Sequence, residues 1–76
     1  MAIATFNGVV IQVHKKSNDD SSDYHARLFS DHKAMTSFIL EYREGNFELV
    51  EGKANDKEKE LMIRAIQALE LSDAFL

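Results

Sequence analysis

AIATFNGVVIQVH, residues 2–14, is the stretch that decides the fold of this chain. Apolar and β-branched residues stand on both sides of Asn7 and Gly8, and an Asn-Gly pair in that position is the strongest short-range signal for a β-hairpin. We therefore predict strands over residues 2–6 and 9–15, joined by a two-residue turn. The chain is thus expected to begin as an antiparallel pair of strands.

Polar turns divide the chain into further strand-like runs as far as residue 52. The serine- and aspartate-rich residues 16–22 predict a loop. The predicted elements that follow are a strand over 23–30, a turn through Asp31 and His32, a strand over 33–42, a turn over 44–46 and a strand over 47–52. Together these elements predict a small antiparallel sheet of four to five strands.

The last third of the chain predicts one amphipathic helix. Asn55 suits the N-cap position, and Glu58, three residues later, completes a capping box. Apolar residues then recur at helical spacing, at Leu61, Met62, Ala65, Ile66 and Leu69. The predicted fold class is α+β: a single domain over residues 1–76, in which the sheet packs against one C-terminal helix.

Length and composition restrict the class of protein. With 76 residues the chain is near the lower size limit for a domain that folds alone. Its 45% apolar and 29% charged residues are typical of an ordinary globular protein. Zero cysteines exclude a disulfide scaffold and a thiolate zinc site. The sequence contains neither a signal-peptide pattern nor a membrane-spanning run, so we expect a cytoplasmic protein that does not associate with membranes.

The charge balance argues against nucleic acid as a partner. Thirteen acidic and nine basic side chains give a formal net charge of −4. Proteins that bind nucleic acid usually have an excess of Lys and Arg, because neutralised phosphates supply most of their affinity. Binding would require a local basic patch against this average, formed by Lys15, Lys16, Arg27 and Lys33 on one surface.

Side-chain alternation along the strands predicts two different sheet faces. The apolar face, which receives the helix, takes Val9, Ile11, Val13, Tyr24, Ala26, Leu28, Phe38, Leu40 and Tyr42. The other face is mixed, and one helix cannot cover both. Its apolar residues Val10, Phe29, Met35 and Ile39 therefore predict an interface, most simply in a homodimer or with another protein partner. The alternative is a curled sheet whose edges hide some of these residues.

His25 and its neighbours on the mixed face are candidate ligand-binding residues. Asp23 and Arg27 lie two residues to either side of His25, on the same side of the strand. His14 joins them if the strands pair in a suitable register. Imidazole and carboxylate groups suit zinc or another transition metal, and Arg27 suits a phosphate-bearing ligand. The simpler alternative is an exposed histidine that forms a hydrogen bond, and we predict no metal and no cofactor.

Catalytic patterns are hard to find in this sequence. Ser22, Asp23 and His25 are close together, but no nucleophile elbow or glycine-rich oxyanion loop accompanies them. The three glycines form neither a Walker nor a Rossmann pattern. We therefore predict a non-enzymatic protein-interaction or regulatory module. The alternative is a protein with a small-ligand or metal site around His25, with hydrolysis as its activity if it has one.

Three stretches in series resemble a family of small bacterial proteins. FNGVVIQV, DYHARL and NFELVEGKANDKEKELMIRAIQALEL are similar to the motifs F-Y-G-[IV]-x-I-x-M, P-P-H-F-H-A and G-E-L-L-E-G-x-L-P plus helix of domain-of-unknown-function family 4160. His25 matches the second histidine of that family's His-x-His, and Gly8 and Gly52 match two of its glycines. Asp23 stands at the first histidine, and serines stand at the two prolines.

This resemblance implies a compact bacterial cytoplasmic α+β domain that acts beside a partner, for example in a toxin–antitoxin type of pair. It implies no reaction, because the family has no settled activity. The replacement of the first histidine by Asp23 implies that any function of the two-histidine element is lost or altered in this chain.

Overall fold

The computed structural model describes residues 2–6, 8–30 and 33–75. Its elements are β1 (Ala2–Phe6), β2 (Val9–Ser17), β3 (Ser22–Ser30), β4 (Lys33–Arg43), β5 (Asn46–Glu51) and α1 (Asp56–Leu71). The strands form one antiparallel sheet in the order β1-β2-β3-β4-β5, and α1 packs on one side of it. The predicted α+β fold class is confirmed. The predicted turn residues Asn7, Asp31 and His32 lie outside the described residues.

Strands β2 and β3 extend further into the polar segment than its composition predicts. Their ladder continues as far as Ser17 opposite Ser22, so the loop covers only residues 18–21. The Asn18 N–H donates to the Ser21 carbonyl at 2.8 Å and closes this loop. The ladder hydrogen bonds are made by the backbone, and the last side chains of both strands reach solvent, so polar side chains do not end the pairing.

The hairpin between β4 and β5 has a two-residue turn. Arg43 pairs with Asn46, which leaves Glu44 and Gly45 as the central residues. Both have positive φ, 52° and 83°, as a type I′ turn requires. The backbone twist of a type I′ turn matches the right-handed twist of the two strands that it joins.

The apolar face forms the core together with α1. Its buried strand residues are Ala2, Ile11, Val13, Tyr24, Ala26, Leu28, Phe38 and Leu40, and the helix adds Met62, Ala65, Ile66 and Leu69. This confirms the predicted strand parities and the predicted helical stripe. Tyr42 lies on the same face but is 38% exposed. The reason is that α1 lies closest to β1 and β2, so the core buries Phe38 and Leu40 of β4 but leaves Tyr42, near the end of that strand, partly open.

Local hydrogen bonds fix both ends of α1. At the start, the Glu58 N–H donates to Asn55 Oδ1 at 2.8 Å, and the Asn55 N–H donates to Glu58 Oε1 at 3.3 Å. This is the predicted capping box. At the end, the Ala74 N–H donates to the Leu69 carbonyl and the Asp73 N–H donates to the Glu70 carbonyl, which is a Schellman motif. Asp73 occupies its left-handed position, with φ 55°.

We expect Asp73→Gly to raise the free energy of unfolding by about 0.5–1 kcal/mol, because glycine has no penalty at positive φ and a negative charge leaves the helix C-terminus. Urea denaturation measures the change. Ser72→Gly is the matched control, because Ser72 has φ −91° and gains nothing from glycine. Equal effects of the two substitutions would contradict the left-handed conformation of Asp73.

Candidate functional site

The sheet side opposite α1, here called the outer face, is ordered into rows by the cross-strand register. The apolar row contains Val10 opposite Phe29, with Met35 beside Phe29 where β4 has one extra residue. Directly opposed residues of an antiparallel pair share a face, so their side chains are neighbours. Every residue predicted to form the interface therefore lies on this face, but Ile39 is two rows further along, beside His25, and the polar row of Gln12, Arg27 and Ser37 lies between.

The outer face exposes part of its apolar surface. Met35 is 47% exposed and Ile3 on β1 is 56% exposed. Val10, Phe29 and Ile39 are half-buried by their neighbours in the sheet. The sheet thus hides some of this surface, as the curled-sheet alternative expects, but it leaves the side chains of Met35 and Ile3 open.

Charged residues occupy the opposite end of the outer face. The acidic row runs across the sheet as Lys16, Asp23, Glu41 and Glu48, which the register places opposite one another in that order. The only base in this row is Lys16, on β2, whereas β3, β4 and β5 each contribute a carboxylate. Arg43, two residues from Glu41 on β4, pairs with the Glu41 carboxylate at 3.8 Å. The outer face is therefore apolar at one end and charged, with carboxylates in excess over Lys16 and Arg43, at the other.

The register brings three of the four candidate ligand-binding residues together. His14 lies directly opposite His25. With Gln12 and Arg27 they line a shallow depression of about 290 Å³ on the outer face. Asp23 lies on the same face but does not line this depression, and it accepts a hydrogen bond from Asn18 Nδ2 at 3.2 Å.

A metal ion needs several ligands at one point. Within the described ranges, no three His, Cys, Asp or Glu side chains come together in a way that could hold one.

A second depression of about 340 Å³ lies on the other side of His25, between Ser37, Ile39 and Gly52. Both depressions are open surface features of the outer face.

An open cleft, larger in volume than both depressions, lies on the other side of the sheet, and the sequence did not reveal it. This aromatic cleft has a volume of about 570 Å³ and opens between the C-terminal half of α1 and strands β3 to β5. Its lining residues are Lys15, Ser22, Tyr24, Tyr42, Phe47, Gln67, Glu70 and Leu71. It exists because α1 lies closest to β1 and β2 and leaves the end of the β4–β5 hairpin around Tyr42 and Phe47 only partly covered.

Aromatic rings form the apolar walls of the aromatic cleft. The ring centroids of Tyr42 and Phe47 are 4.7 Å apart, and those of Phe47 and Tyr24 are 6.0 Å apart. Phe75 packs on Tyr24 from beyond the cleft, at 5.7 Å. The ammonium of Lys15 lies 5.8 Å from the ring centroids of Tyr24 and Phe75. These rings pack in the tilted arrangement that aromatic pairs favour.

The carboxylate of Glu70 is the polar centre of the aromatic cleft. The Tyr24 hydroxyl donates to Glu70 Oε1 at 2.8 Å, and Lys15 Nζ lies 2.7 Å from the same oxygen. The contact with Lys15 holds the pKa of Glu70 below its usual range. Burial, followed by the Glu70 carboxylate, raises the pKa of Tyr24. At neutral pH the cleft therefore contains a charged carboxylate and a neutral hydroxyl donor.

One signal for this cleft was present in the sequence. Alternation places Tyr24 and Tyr42 on the apolar face, and a buried tyrosine hydroxyl needs a hydrogen-bond partner. The partner, Glu70, is 46 residues away along the chain, so neither strand alternation nor helical periodicity indicates it.

Comparisons with known proteins return no relative. No family model matches the chain, and no match was found among curated proteins or among solved structures. The resemblance to family 4160 therefore stays a prediction. In the part of the chain that the structure describes, no helix has the length and apolar character needed to cross a membrane. The outer face and the aromatic cleft are the two surfaces of the described structure from which we infer a function.

Proposed function

We propose that this protein is a non-enzymatic interaction or regulatory module that works as a symmetric homodimer through its outer face. The observation that supports this proposal is the uncovered apolar surface of the sheet, because α1 packs on the other side. Met35 is about half exposed beside Phe29 and Val10, and Ile3, also about half exposed, lies in the next row on β1. Contiguous apolar surface of this kind marks an interaction site more often than scattered apolar residues do.

Charge and register support a second copy of the chain as the partner. A two-fold axis parallel to the strands sets each row of one copy against the same row of the other. If the axis runs between β2 and β3, Val10 faces Phe29 of the second copy, because these residues are opposite each other within one sheet. In the same way Lys16 faces Asp23 of the second copy. Apolar surface meets apolar surface, and a base meets an acid.

The dimensions of the molecule are compatible with such a dimer. It measures 38 × 25 × 16 Å, so its broad side is 38 Å by 25 Å. A stable interface of standard size buries about 800 Å² on each partner, which fits on a side of these dimensions. Two sheets that pack face to face in this way lie about 10 Å apart, with their side chains interdigitating. The dimer would cover the depression around His14 and His25.

The experiment is sedimentation analysis or light scattering of the wild type and of Met35→Lys. The wild-type mass should rise with concentration from 8.6 kDa toward double that value. Met35→Lys should weaken the dimer at least about tenfold, because each copy then brings an ammonium group into the apolar row. Met35 is 47% exposed in the monomer, so this substitution should leave the fold intact.

Leu71→Lys is the matched control. It introduces the same charge at an 88% exposed residue at the end of α1, on the other side of the sheet, and should dimerise like the wild type. A wild-type protein that stays monomeric up to about 1 mM, where even weak dimers form, would overturn the proposal. So would a Met35→Lys dimer as tight as that of Leu71→Lys.

A further inference from the structure

The aromatic cleft has the size and lining of a small-molecule site. Its volume of about 570 Å³ lies inside the range of about 300–1,000 Å³ that is usual for ligand pockets. Such pockets combine apolar walls with a few convergent polar groups. Here Tyr42 and Phe47 supply walls that α1 leaves uncovered, and Glu70 and Gln67 supply polar groups from α1 itself.

The walls favour a flat ligand that carries positive charge. Tyr24, Tyr42 and Phe47 turn aromatic rings toward the same cavity. Aromatic faces carry partial negative charge, so they stack with planar rings and attract cations. Tyr42 is 38% exposed, so a ligand can reach its ring without displacing any core side chain.

The carboxylate of Glu70 adds a second attraction for a cation. The contacts from the Tyr24 hydroxyl and from Lys15 Nζ both go to Oε1, so Oε2 is left to accept a hydrogen bond from a ligand. The Glu70 side chain is 39% exposed and lines the cleft, so its carboxylate can be reached from there. Lys15 also lines the cleft, but its ammonium is held on the Oε1 side of Glu70, against the Tyr24 and Phe75 rings. The ammonium of a ligand would approach the other carboxylate oxygen, so the two cations would share the Glu70 carboxylate without competing for Oε1.

We propose that the aromatic cleft binds a small planar aromatic amine. Its ring stacks against Tyr42 and Phe47, and its ammonium donates to the carboxylate of Glu70. The cleft and the outer face lie on opposite sides of the sheet, so this binding does not depend on dimerisation, and either proposal can fail without the other.

The test uses three indoles that share one ring system and differ in charge: tryptamine is a cation, tryptophol is neutral and indole-3-acetate is an anion at neutral pH. Each is titrated into ¹⁵N-labelled wild-type protein and followed by NMR. Tryptamine should shift the amide signals around Tyr42, Phe47, Gln67 and Glu70 and should saturate below about 1 mM, a modest affinity for a ligand of this size. Tryptophol should bind about tenfold more weakly, and indole-3-acetate more weakly still.

A pair of glutamate variants tests the role of the carboxylate. Glu70→Gln keeps the shape of the side chain but removes its charge, so tryptamine should bind about tenfold more weakly while tryptophol is unaffected. Glu60→Gln is the matched control, because Glu60 pairs with Arg64 on the exposed side of the same helix and does not line the cleft. It should bind tryptamine like the wild type.

Three results would overturn this proposal. The first is no shift around the aromatic cleft with tryptamine up to about 10 mM, beyond which binding is too weak to be specific. The second is equal affinity for tryptamine and either of the other indoles. The third is equal loss of tryptamine affinity in Glu70→Gln and Glu60→Gln. The comparison of the three indoles uses wild-type protein alone, so it still tests the proposed amine binding if Glu70→Gln fails to fold.

Discussion

Gly52→Ala is expected to lower the free energy of unfolding by about 2–5 kcal/mol, since a positive φ costs about 1–2 kcal/mol and overpacking costs about 1–3 kcal/mol. Gly52 has φ 98°, a conformation that residues with a side chain rarely adopt. A Cβ at this position would lie 2.8 Å from the Ser37 carbonyl oxygen and 2.9 Å from Phe38 Cδ1. Neither atom can move easily, because one belongs to the backbone of β4 and the other to the buried core.

Gly45→Ala separates the two causes. Gly45 has φ 83° in the β4–β5 turn, but nothing lies within 4 Å of a Cβ built there. Gly45→Ala should therefore cost only the conformational part, about 1–2 kcal/mol. Urea denaturation of both variants at one protein concentration measures the difference. If the two variants lose the same stability, the close approach of Gly52 to Ser37 and Phe38 is contradicted.

Gly52 also illustrates what the sequence could predict. Its match to a glycine of family 4160 indicated that the position before the helix favours glycine, but gave no physical reason for this preference. The reason is tertiary: the chain turns over β4 so closely that only a residue without Cβ fits. Features that depend on neighbouring residues, such as the Asn55–Glu58 capping box, could be predicted fully because their partners are three residues apart.

The lateral position of α1 could not be predicted. Helical periodicity identified which side of α1 is buried, and strand alternation identified which side of the sheet receives it. Neither pattern indicates which strands the helix covers, because that depends on sheet twist and on how the core side chains fit together. The exposure of Tyr42, the aromatic cleft and the Tyr24–Glu70 hydrogen bond all follow from this position.

The candidate site on the outer face was open to prediction only in part. Alternation placed His25 and Arg27 on one face, but whether His14 joins them depended on the register of β2 and β3. That register is set by the short loop over residues 18–21, which places His14 opposite His25. One more residue in the loop would shift the pairing and turn one strand's side chains to the wrong face. Loop length therefore decides the composition of the outer face.

Ile66→Ala is expected to produce a comparable loss of stability by a different cause. Ile66 is fully buried where α1 meets the sheet. Removing a large buried aliphatic side chain costs about 2–5 kcal/mol, through lost burial and through the cavity left behind. A chain of 76 residues has a total stability of only about 4–11 kcal/mol. The substitution should thus remove a large part of it.

Leu71→Ala is the matched control for this prediction. Leu71 is an aliphatic residue on the same helix but is 88% exposed, so its truncation should change the free energy of unfolding by less than about 0.5 kcal/mol. Thermal unfolding followed by circular dichroism should show Ile66→Ala melting more than about 10 °C below Leu71→Ala, because each kcal/mol shifts the midpoint of a domain this small by about 4–8 °C. Similar midpoints would mean that α1 does not anchor the sheet through Ile66, and the inner side of β1 and β2 would then need another cover.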